Sequence, residues 1–372
     1  MDDRRLNTID LFSGCGGLSL GFHNSGFNIM LGIDKDEPSL VTYRKNFPNA
    51  KGLNIDLSKK GFVDDVSSAI DGKPVDVIVA GPPCQGFSLT GTRNFEDSRN
   101  KLYLAVIKAV DSFKPKAFLI ENVTGISTLY NGQVKNEIVR RLTDIGYNVS
   151  ARMLCAADYG VPQIRKRFFF VGILNKYGNI ALPNATHHSD NYISCKDAIG
   201  DLPSRVNELG YEEDKYDSPP YSEYQFFMRG NCNTLYNHVA TNHTQLVKDV
   251  IALVPEGCNY KVLPPGIGES RRFNEAWTRY HSEKPSRTID TGHRNHFHYK
   301  YNRVPTIREN ARLQSFPDWF VFLGTKTQQN RQVGNAVPPL LAQRIAERIS
   351  EYLYFSAEGL IGLREEGQLS LI

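Results

Sequence analysis

Nowhere does this chain approach the roughly 20 consecutive apolar residues that a membrane-spanning helix needs, so no helical span is expected. It also has no CxxC pair: its six cysteines (Cys15, Cys84, Cys155, Cys195, Cys232 and Cys258) are scattered. That spacing argues against a disulfide framework and against a cysteine-built zinc site, and suits a reducing, cytoplasmic setting. The charged start, Met1–Arg5, runs directly into a strand-like segment, which is not the pattern of a signal peptide. Internal repeats and low-complexity tracts are missing as well. Excess charge of one sign is slight, with 44 Lys and Arg against 40 Asp and Glu, a net +4 that points only weakly to a polyanionic partner. What is present is the composition of a globular protein, 40% hydrophobic and 23% charged. At 372 residues it exceeds one ordinary core, so two domains or one large domain with an insertion are expected.

The first half alternates strand-like runs (Thr8–Phe12, Asn28–Asp34, Val75–Gly81, Ala117–Asn122, Asn148–Leu154 and Arg167–Leu174) with helical patterns such as Leu102–Phe113 and Val134–Ile145. Such alternation predicts an α/β fold, a mostly parallel doubly wound sheet that binds ligands at the carboxyl ends of its strands. After about Lys176 the rhythm fails. An acidic, loop-like stretch (Asp201–Glu223) precedes a basic one in which Arg271, Arg272, Arg279, Lys284, Arg287, Arg294, Lys300, Arg303, Arg308 and Arg312 are interleaved with Phe273, Trp277, Tyr280, Phe297, Tyr299 and Tyr301. Helical sequence returns at Thr306–Gln314 and Ala336–Tyr354, and Ser356–Ile372 reads as a short helix with a loose end. The middle therefore reads as a second, smaller domain, with the C-terminal helix returning to the first.

Five constellations could carry chemistry, most of them at or beside strands and the last at the opening of the final long helix. In Asp10-Leu-Phe-Ser-Gly-Cys-Gly-Gly17 the glycines at 14, 16 and 17 permit a tight turn and close approach of a ligand at a helix N-terminus, without the GxGxxG spacing of dinucleotide folds. Asp34 and Asp56 follow strands, where an acid can accept from ribose hydroxyls or an adenine amino group, or merely cap a helix. Gly81-Pro-Pro-Cys-Gln-Gly-Phe-Ser88 holds Cys84 on a stiff turn at a strand mouth, an odd place for a core thiol. Glu121-Asn-Val123 ends a buried strand and should face the same crevice. In Gln163-Ile-Arg-Lys-Arg167, Arg165 and Arg167 are two apart and share a face of an extended strand. Two guanidiniums there would bind an anionic or carbonyl oxygen, unless they mark an exposed basic edge. Finally, Gln332-Val-Gly-Asn-Ala-Val-Pro-Pro339 reads as a loop delivering polar groups to a ligand, or as a helix start with prolines in its first turn.

In this order the motifs resemble the DNA (cytosine-5) methyltransferases of bacterial modification systems, over nearly the whole chain except the middle. The resemblance implies a Rossmann-like S-adenosylmethionine-dependent methyltransferase domain (1–176 plus 302–372) and a smaller, mostly irregular or β target recognition domain (177–301). It implies that Phe12, Gly14, Gly16, Gly17, Asp34, Asp56, Pro83 and Asn335 bind S-adenosyl-L-methionine, although many members have Glu at the place of Asp34. Cys84, Glu121, Arg165 and Arg167 would be catalytic, and Gln85, Ser88, Asn122 and Gln163 would bind substrate. Arg303, Thr306–Glu309 and Ala311–Asp318 look like the segment supporting the recognition domain.

The implied chemistry suits these residue types. Cytosine carbon 5 is a poor nucleophile until a thiolate adds to carbon 6; Glu121 would bond ring nitrogen 3 and supply a proton, and the cationic arginines would favour the thiolate. The target must leave the duplex, and the basic middle stretch would clamp phosphates. The implied partner is double-stranded DNA, acted on by a monomer one strand at a time; a functional pairing with a restriction endonuclease stays open. A tRNA-directed relative with the same chemistry and a silent binding protein on the same fold are the rival expectations. The first is weighed down by the long recognition stretch, the second by the intact Cys84, Glu121, Arg165 and Arg167. A nicotinamide-dependent oxidoreductase shares only the wound sheet and the glycine turn. His293, His296 and His298 lack cysteine partners, so no metal site is expected, and His238 and His243 suit packing or capping.

Overall fold

The computed structural model describes residues 5–83, 101–267, 276–292 and 295–366. The six strand-like runs form six of the seven strands of the main sheet, and the more polar Lys51–Asn54 adds another: β1 (Asn7–Leu11), β2 (Asn28–Asp34), β3 (Lys51–Asn54), β4 (Val77–Ala80), β5 (Ala117–Val123), β6 (Tyr147–Cys155) and β7 (Lys166–Leu174). They lie in the order β3-β2-β1-β4-β5-β7-β6. The first five are mutually parallel, whereas β7 runs antiparallel to both β5 and β6.

Both faces of the sheet are covered, as expected for a doubly wound fold, and side chains alternate between them with period two. Val77, Val79, Ala117, Leu119, Phe169 and Val171 enter one cluster, while Ile78, Ala80, Phe118, Ile120, Phe168 and Phe170 enter the other. The second cluster is closed by helices α3 (Phe62–Ala69), α4 (Lys101–Phe113) and α5 (Gln133–Asp144). The first is closed by α1 (Gly17–Asn24), which lies along the C-terminal helix, and by residues such as Cys195, Leu202, Tyr224, Leu235, Tyr280 and Ile289 from the middle of the chain. One continuous core thus crosses positions 176/177 and 301/302. Among the described residues of the middle stretch, Ile251, Val254, Phe297 and the adjoining Val304 form a separate small cluster.

Helix starts follow their caps. Asp36 accepts from Ser39 N to open α2 (Glu37–Asn46). Reciprocal capping boxes open α6 (Cys195–Ile199), α7 (Glu223–Arg229), α9 (Ile307–Leu313) and α10 (Lys326–Asn335), and α8 (Gln245–Ala252) completes the middle. The long α11 (Pro339–Glu366) carries its first proline at its N-terminus, but Gln332–Asn335 is not the loop expected before it. Thr325 and Gln328 start a helix whose last turn contains those residues. The chain becomes extended only at Ala336, where the prolines that follow disfavour helical backbone. Among the described residues, strand structure in the middle amounts to two-residue ladders, β8 (Glu213–Asp214) with β9 (Leu235–Tyr236) and β10 (Thr278–Arg279) with β11 (His296–Phe297), and a single bridge from Ser286 to Gln163.

Charge, rather than apolar area alone, joins the middle stretch to α9. Arg312, fully buried, donates to Asp318 Oδ1 at 2.8 Å and Oδ2 at 2.6 Å and also to Asp201. Asp201 accepts from Arg229 at 2.5 Å, and Asp318 accepts from Tyr216 Oη at 2.5 Å. Burial opposes the Asp318 charge, but Arg312 and Arg308 outweigh it and hold that carboxyl below its usual range. A second knot joins Glu309 to Arg303 through bonds of 2.7 and 2.8 Å, with His298 Nε2 3.6 Å away. His298 Nδ1 accepts from the amides of Lys300 and Tyr301, so its proton is on Nε2. His238 bridges Pro203 O and Thr306 Oγ1. Burial drives the pKa values of His238 and His298 down to about 4 and about 3, so both rings are neutral structural groups. Breaking a dehydrated ion pair from one side strands the partner charge, at a cost of about 3–5 kcal/mol. Arg312→Leu should lose that much stability in urea unfolding, and a loss under about 1 kcal/mol, the worth of an exposed pair, would mean that water reaches the site.

Candidate active site

The carboxyl ends of β1, β2, β4 and β5 open onto a cleft of about 510 Å³. Its floor begins where β1 stops. Phe12 takes a left-handed conformation (φ 61°), Ser13 N bonds Ile33 O at 2.9 Å, and Gly14 N bonds Asp34 Oδ2 at 2.8 Å. Asp34 Oδ1 accepts from Asp36 N at 2.9 Å, so this aspartate braces the loop while Asp36 caps α2. Burial raises the Asp34 pKa, and the amides of Asp36 and Gly14 counter it. Asp56, also on the cleft wall, folds over its own turn by accepting from Ser58 N and Oγ.

Glycine is required at 16 and 17 for packing. Gly16 has φ 101° and a Cβ there would meet the Phe47 ring at 2.4 Å, while at Gly17 a Cβ would meet Val337 O at 2.3 Å. Gly14 is different: a Cβ there would meet nothing within 4 Å. Of the three, Gly14 and Gly17 line the cleft and Gly16 does not.

The far wall is built by β5 and β7. Their antiparallel register sets Val123 against Arg167 and Glu121 against Phe169, so Glu121 and Arg167 are diagonal neighbours on one face. Arg167 Nε lies 3.1 Å from Glu121 Oε1, with both side chains largely shielded from water. Burial raises the Glu121 pKa, opposed first by Arg167 and then by Arg165. Next to it, buried Asn122 donates from Nδ2 to Pro82 O at 2.8 Å, tying β5 to the prolines that lead to position 84.

This cleft sits in a chain whose relatives are plain. The model for C-5 cytosine-specific DNA methylases matches residues 6–351. The chain belongs to that family. It is 39% identical to the type II methyltransferase M.DdeI of Desulfomicrobium norvegicum, covering 93% of this chain and 89% of that protein. It is also 39% identical to M1.HphI of Haemophilus parahaemolyticus, over 92% and 86%. Among solved structures, a prophage-encoded E. coli protein proposed to be a DNA modification methyltransferase superposes with a TM-score of 0.78 at 28% identity, covering 94% of this chain and 99% of that one. The chain is accordingly a DNA cytosine-5 methyltransferase, and its wound sheet is the methyltransferase fold.

In this methyltransferase the cleft gathers Phe12, Gly14, Gly17, Asp34, Asp56, Pro83, Glu121, Asn122, Arg165, Arg167 and Asn335. Cys84, Gln85 and Ser88 lie outside the described residues. Three groups sit differently from what the spacing of the motifs suggests. Gln163 is fully buried away from the cleft, donating to Leu313 O and to Gln314 and accepting from Ile289 N, so its amide is committed to the protein. Arg165 does line the cleft, but it precedes β7 and does not pair with Glu121; its guanidinium donates to Ile289 O at 3.1 Å and Gly334 O at 2.8 Å. The basic stretch is not uniformly a phosphate clamp: Arg279, Arg303, Arg308 and Arg312 are all buried. Arg279, for example, bonds the carbonyls of Ile251, Val254 and His298, closing the end of α8. Of the basic residues expected there, Lys284, Arg287 and Lys300 are exposed, and Arg271, Arg272 and Arg294 lie outside the described residues.

The residue that sequence reasoning passed over is Asp10. Its Oδ2 accepts from Ser19 Oγ at 2.7 Å and Ser19 N at 3.2 Å, pinning the first turn of α1 under the glycine loop, and Tyr43 extends the chain through Ser19. The signal was an acid set between Ile9 and Leu11 in a strand that is buried throughout. Burial, only partly offset by Ser19, pushes its pKa up to about 7. A carboxyl with a raised folded pKa stabilises most below its unfolded value near 3.8 and loses that contribution as pH climbs to about 7. Relative to Asp10→Asn, the parent should therefore lose about 4 kcal/mol between pH 4 and 7 and stay level above. Urea midpoints for the two proteins across that range check this, and a constant gap would mean that Asp10 ionises normally.

Proposed function

We propose that this methyltransferase takes its methyl group from S-adenosylmethionine, acts on a cytosine turned out of duplex DNA, and passes through a covalent Cys84 adduct. The observation that carries this reading is the buried Glu121–Arg167 pair next to the Asn122–Pro82 bond, which together put an acid, a cation and the approach to Cys84 at one end of the cleft. The cleft suits the cofactor. Its volume lies within the roughly 300–1,000 Å³ of small-molecule sites, open space adjoins Gly14, and Asp34 and Asp56 offer carboxylates for hydroxyl and amino groups. Phe12, Gly14, Gly17, Pro83 and Asn335 would enclose the rest, with Gly16 shaping the loop from behind.

When bound, S-adenosylmethionine supplies an electrophilic methyl group on its sulfonium. The Cys84 thiolate adds to carbon 6 of the cytosine, and the ring electrons move towards nitrogen 3, where Glu121 holds the proton that neutralises them. Desolvation favours the protonated form of Glu121 that this step needs. Arg167 orients the carboxyl by its 3.1 Å contact, and Arg165 contributes its charge. Carbon 5, now enamine-like, would take the methyl group, the donor leaving as a neutral thioether and nitrogen 3 returning its proton to Glu121; a base then removes the carbon 5 proton as the thiolate leaves. Gln85, Ser88 and Asn122 border the flipped base in this reading, Asn122 through the loop it holds.

Residues 177–301 would carry target recognition, with the enzyme working as a cytoplasmic monomer on one strand at a time. Its likeness to type II methyltransferases supports a place in a restriction-modification system, beside an endonuclease of the same specificity.

The test is duplex DNA carrying 5-fluorocytosine, incubated with enzyme and S-adenosylmethionine and run under denaturing conditions. Fluorine blocks the last proton loss, so a retarded covalent band should form and should vanish in Cys84→Ser. In single-turnover methylation of ordinary DNA, Glu121→Gln should slow the reaction about 10²–10⁴-fold, the range for a lost general acid. Trapping on tRNA but not on DNA of diverse sequence would overturn the substrate, and a band persisting in Cys84→Ser would overturn the nucleophile.

A further inference from the structure

The lead-in to β7 holds two other parts of the chain at once. Residues 286–289 run alongside 162–165: Ser286 N bonds Pro162 O at 3.0 Å, Ile164 N bonds Ser286 O at 2.8 Å, and Thr288 Oγ1 bonds Ile164 O at 2.8 Å. Gln163 accepts from Ile289 N at 3.0 Å. On the other side, Arg165 reaches Gly334 O, and Gln314, bonded to Gln163, donates to Ala336 O at 2.6 Å. The two outer parts also touch. A Cβ on Gly334 would stand 2.3 Å from Asp290 O and 2.8 Å from Thr291 N, so only glycine lets these backbones meet.

The two parts differ in what they face. Gly334, Asn335 and Ala336 line the cleft, whereas no residue from 276 to 292 does. The strand-like 286–289 instead leads to Thr291 and Gly292, which are exposed on a turn held by Asp290. Arg165 is 2% exposed, and its two amino groups bond one carbonyl from each part, Ile289 O and Gly334 O.

We infer that Arg165 is a positioning residue that couples cofactor occupancy to the order of the 286–292 segment, so that this surface turn is set for DNA when the cleft is filled. The inference rests on the cofactor assignment above. Filling the cleft fixes 334–336; a fixed Gly334 carbonyl fixes the guanidinium, and the guanidinium fixes Ile289. A planar fork can hold two carbonyls in one geometry, which a lysine ammonium on a flexible stem does not reproduce. Coupling of this kind is reciprocal, so ordering the turn on DNA tightens the cleft by the same factor.

Amide hydrogen exchange with S-adenosylhomocysteine as the probe tests this on the full-length protein, without knowledge of the DNA sequence recognised. In the parent, the probe should slow exchange in 12–17 and 334–337 and also, about 5-fold, the low end of ordinary couplings, in 286–292. In Arg165→Lys the first two segments should keep their protection and 286–292 should lose its own. Thr288→Val leaves the charge in place and cuts one tie between 286–289 and the β7 lead-in, so it should reduce the same response in part. A merely structural role for Arg165 would speed exchange equally with and without the probe and leave the ligand-induced difference intact; that result overturns the inference, as does a parent whose 286–292 segment ignores the probe. If no segment of the parent responds, the cofactor assignment itself fails and the inference falls with it.

Discussion

Glu121 and Arg167 meet because β7 runs against its neighbours. In a wound sheet of parallel strands, every carboxyl end lies on one edge and every amino end on the other. Residues just before or at the start of a parallel β7 would therefore lie a strand length away from the cleft, roughly 20 Å for the seven residues of β5. Reversal of β7 brings its amino end to the carboxyl end of β5, with Val123 facing Arg167. That one inversion lets a Gln-x-Arg-x-Arg run contribute to a site otherwise made of strand C-termini. The long β6–β7 pairing, from Tyr147 to Cys155, holds the inversion in register, since a slip by one residue would turn Arg167 to the opposite face.

Much of this was readable in the residues. Six of the seven strands of the main sheet announced themselves through strand-like runs, whereas β3, Lys-Gly-Leu-Asn on an edge of the sheet, is too short and polar to stand out. The cleft motifs were legible because they interrupt those runs at their ends. What sequence could not distinguish was which polar group serves a ligand and which serves the chain. Gln163 and Arg165 belong to the same short motif as Arg167, yet the first two bond Ile289, Gly334, Leu313 and Gln314, and Arg167 alone contacts Glu121. Two-residue spacing predicts a shared face only inside a strand, and β7 begins at Lys166.

The basic stretch misleads for a related reason. Counting arginines between 261 and 312 suggests a DNA-facing surface, but an arginine can equally satisfy buried carbonyls in a region poor in regular structure. The middle of this chain has few strand ladders to absorb its backbone oxygens, and an unpaired buried carbonyl is costly. Arg279 bonds four of them, Arg303 bonds Ser204 O and Val304 O, and Arg308 bonds Tyr236 O, Pro317 O and Phe320 O. These guanidiniums substitute for the hydrogen bonds that helices and sheets provide elsewhere. The charges of Arg303 and Arg308 are balanced locally by Glu309 and Asp318, which leaves fewer free guanidiniums for phosphate than the arginine count implies.

That substitution bears on how the two halves of the molecule communicate. A middle stretch held by apolar contact alone could shift by small, continuous slips. One held by directional bonds from buried arginines has fewer alternatives, because moving a guanidinium off its carbonyls strands both donor and acceptor away from water. Arg312 fixes the middle stretch to α9 in this way, and Gln314, which caps the end of α9, reaches Ala336 beside the cleft through its amide. Arg165 makes a second such connection from the opposite side, and Gly334 keeps the two backbones in contact between them. The glycine-asparagine pair at 334 and 335 therefore has two duties with separate physical causes: Asn335 borders the cleft, whereas Gly334 is glycine because another segment's backbone occupies the space where its side chain would be.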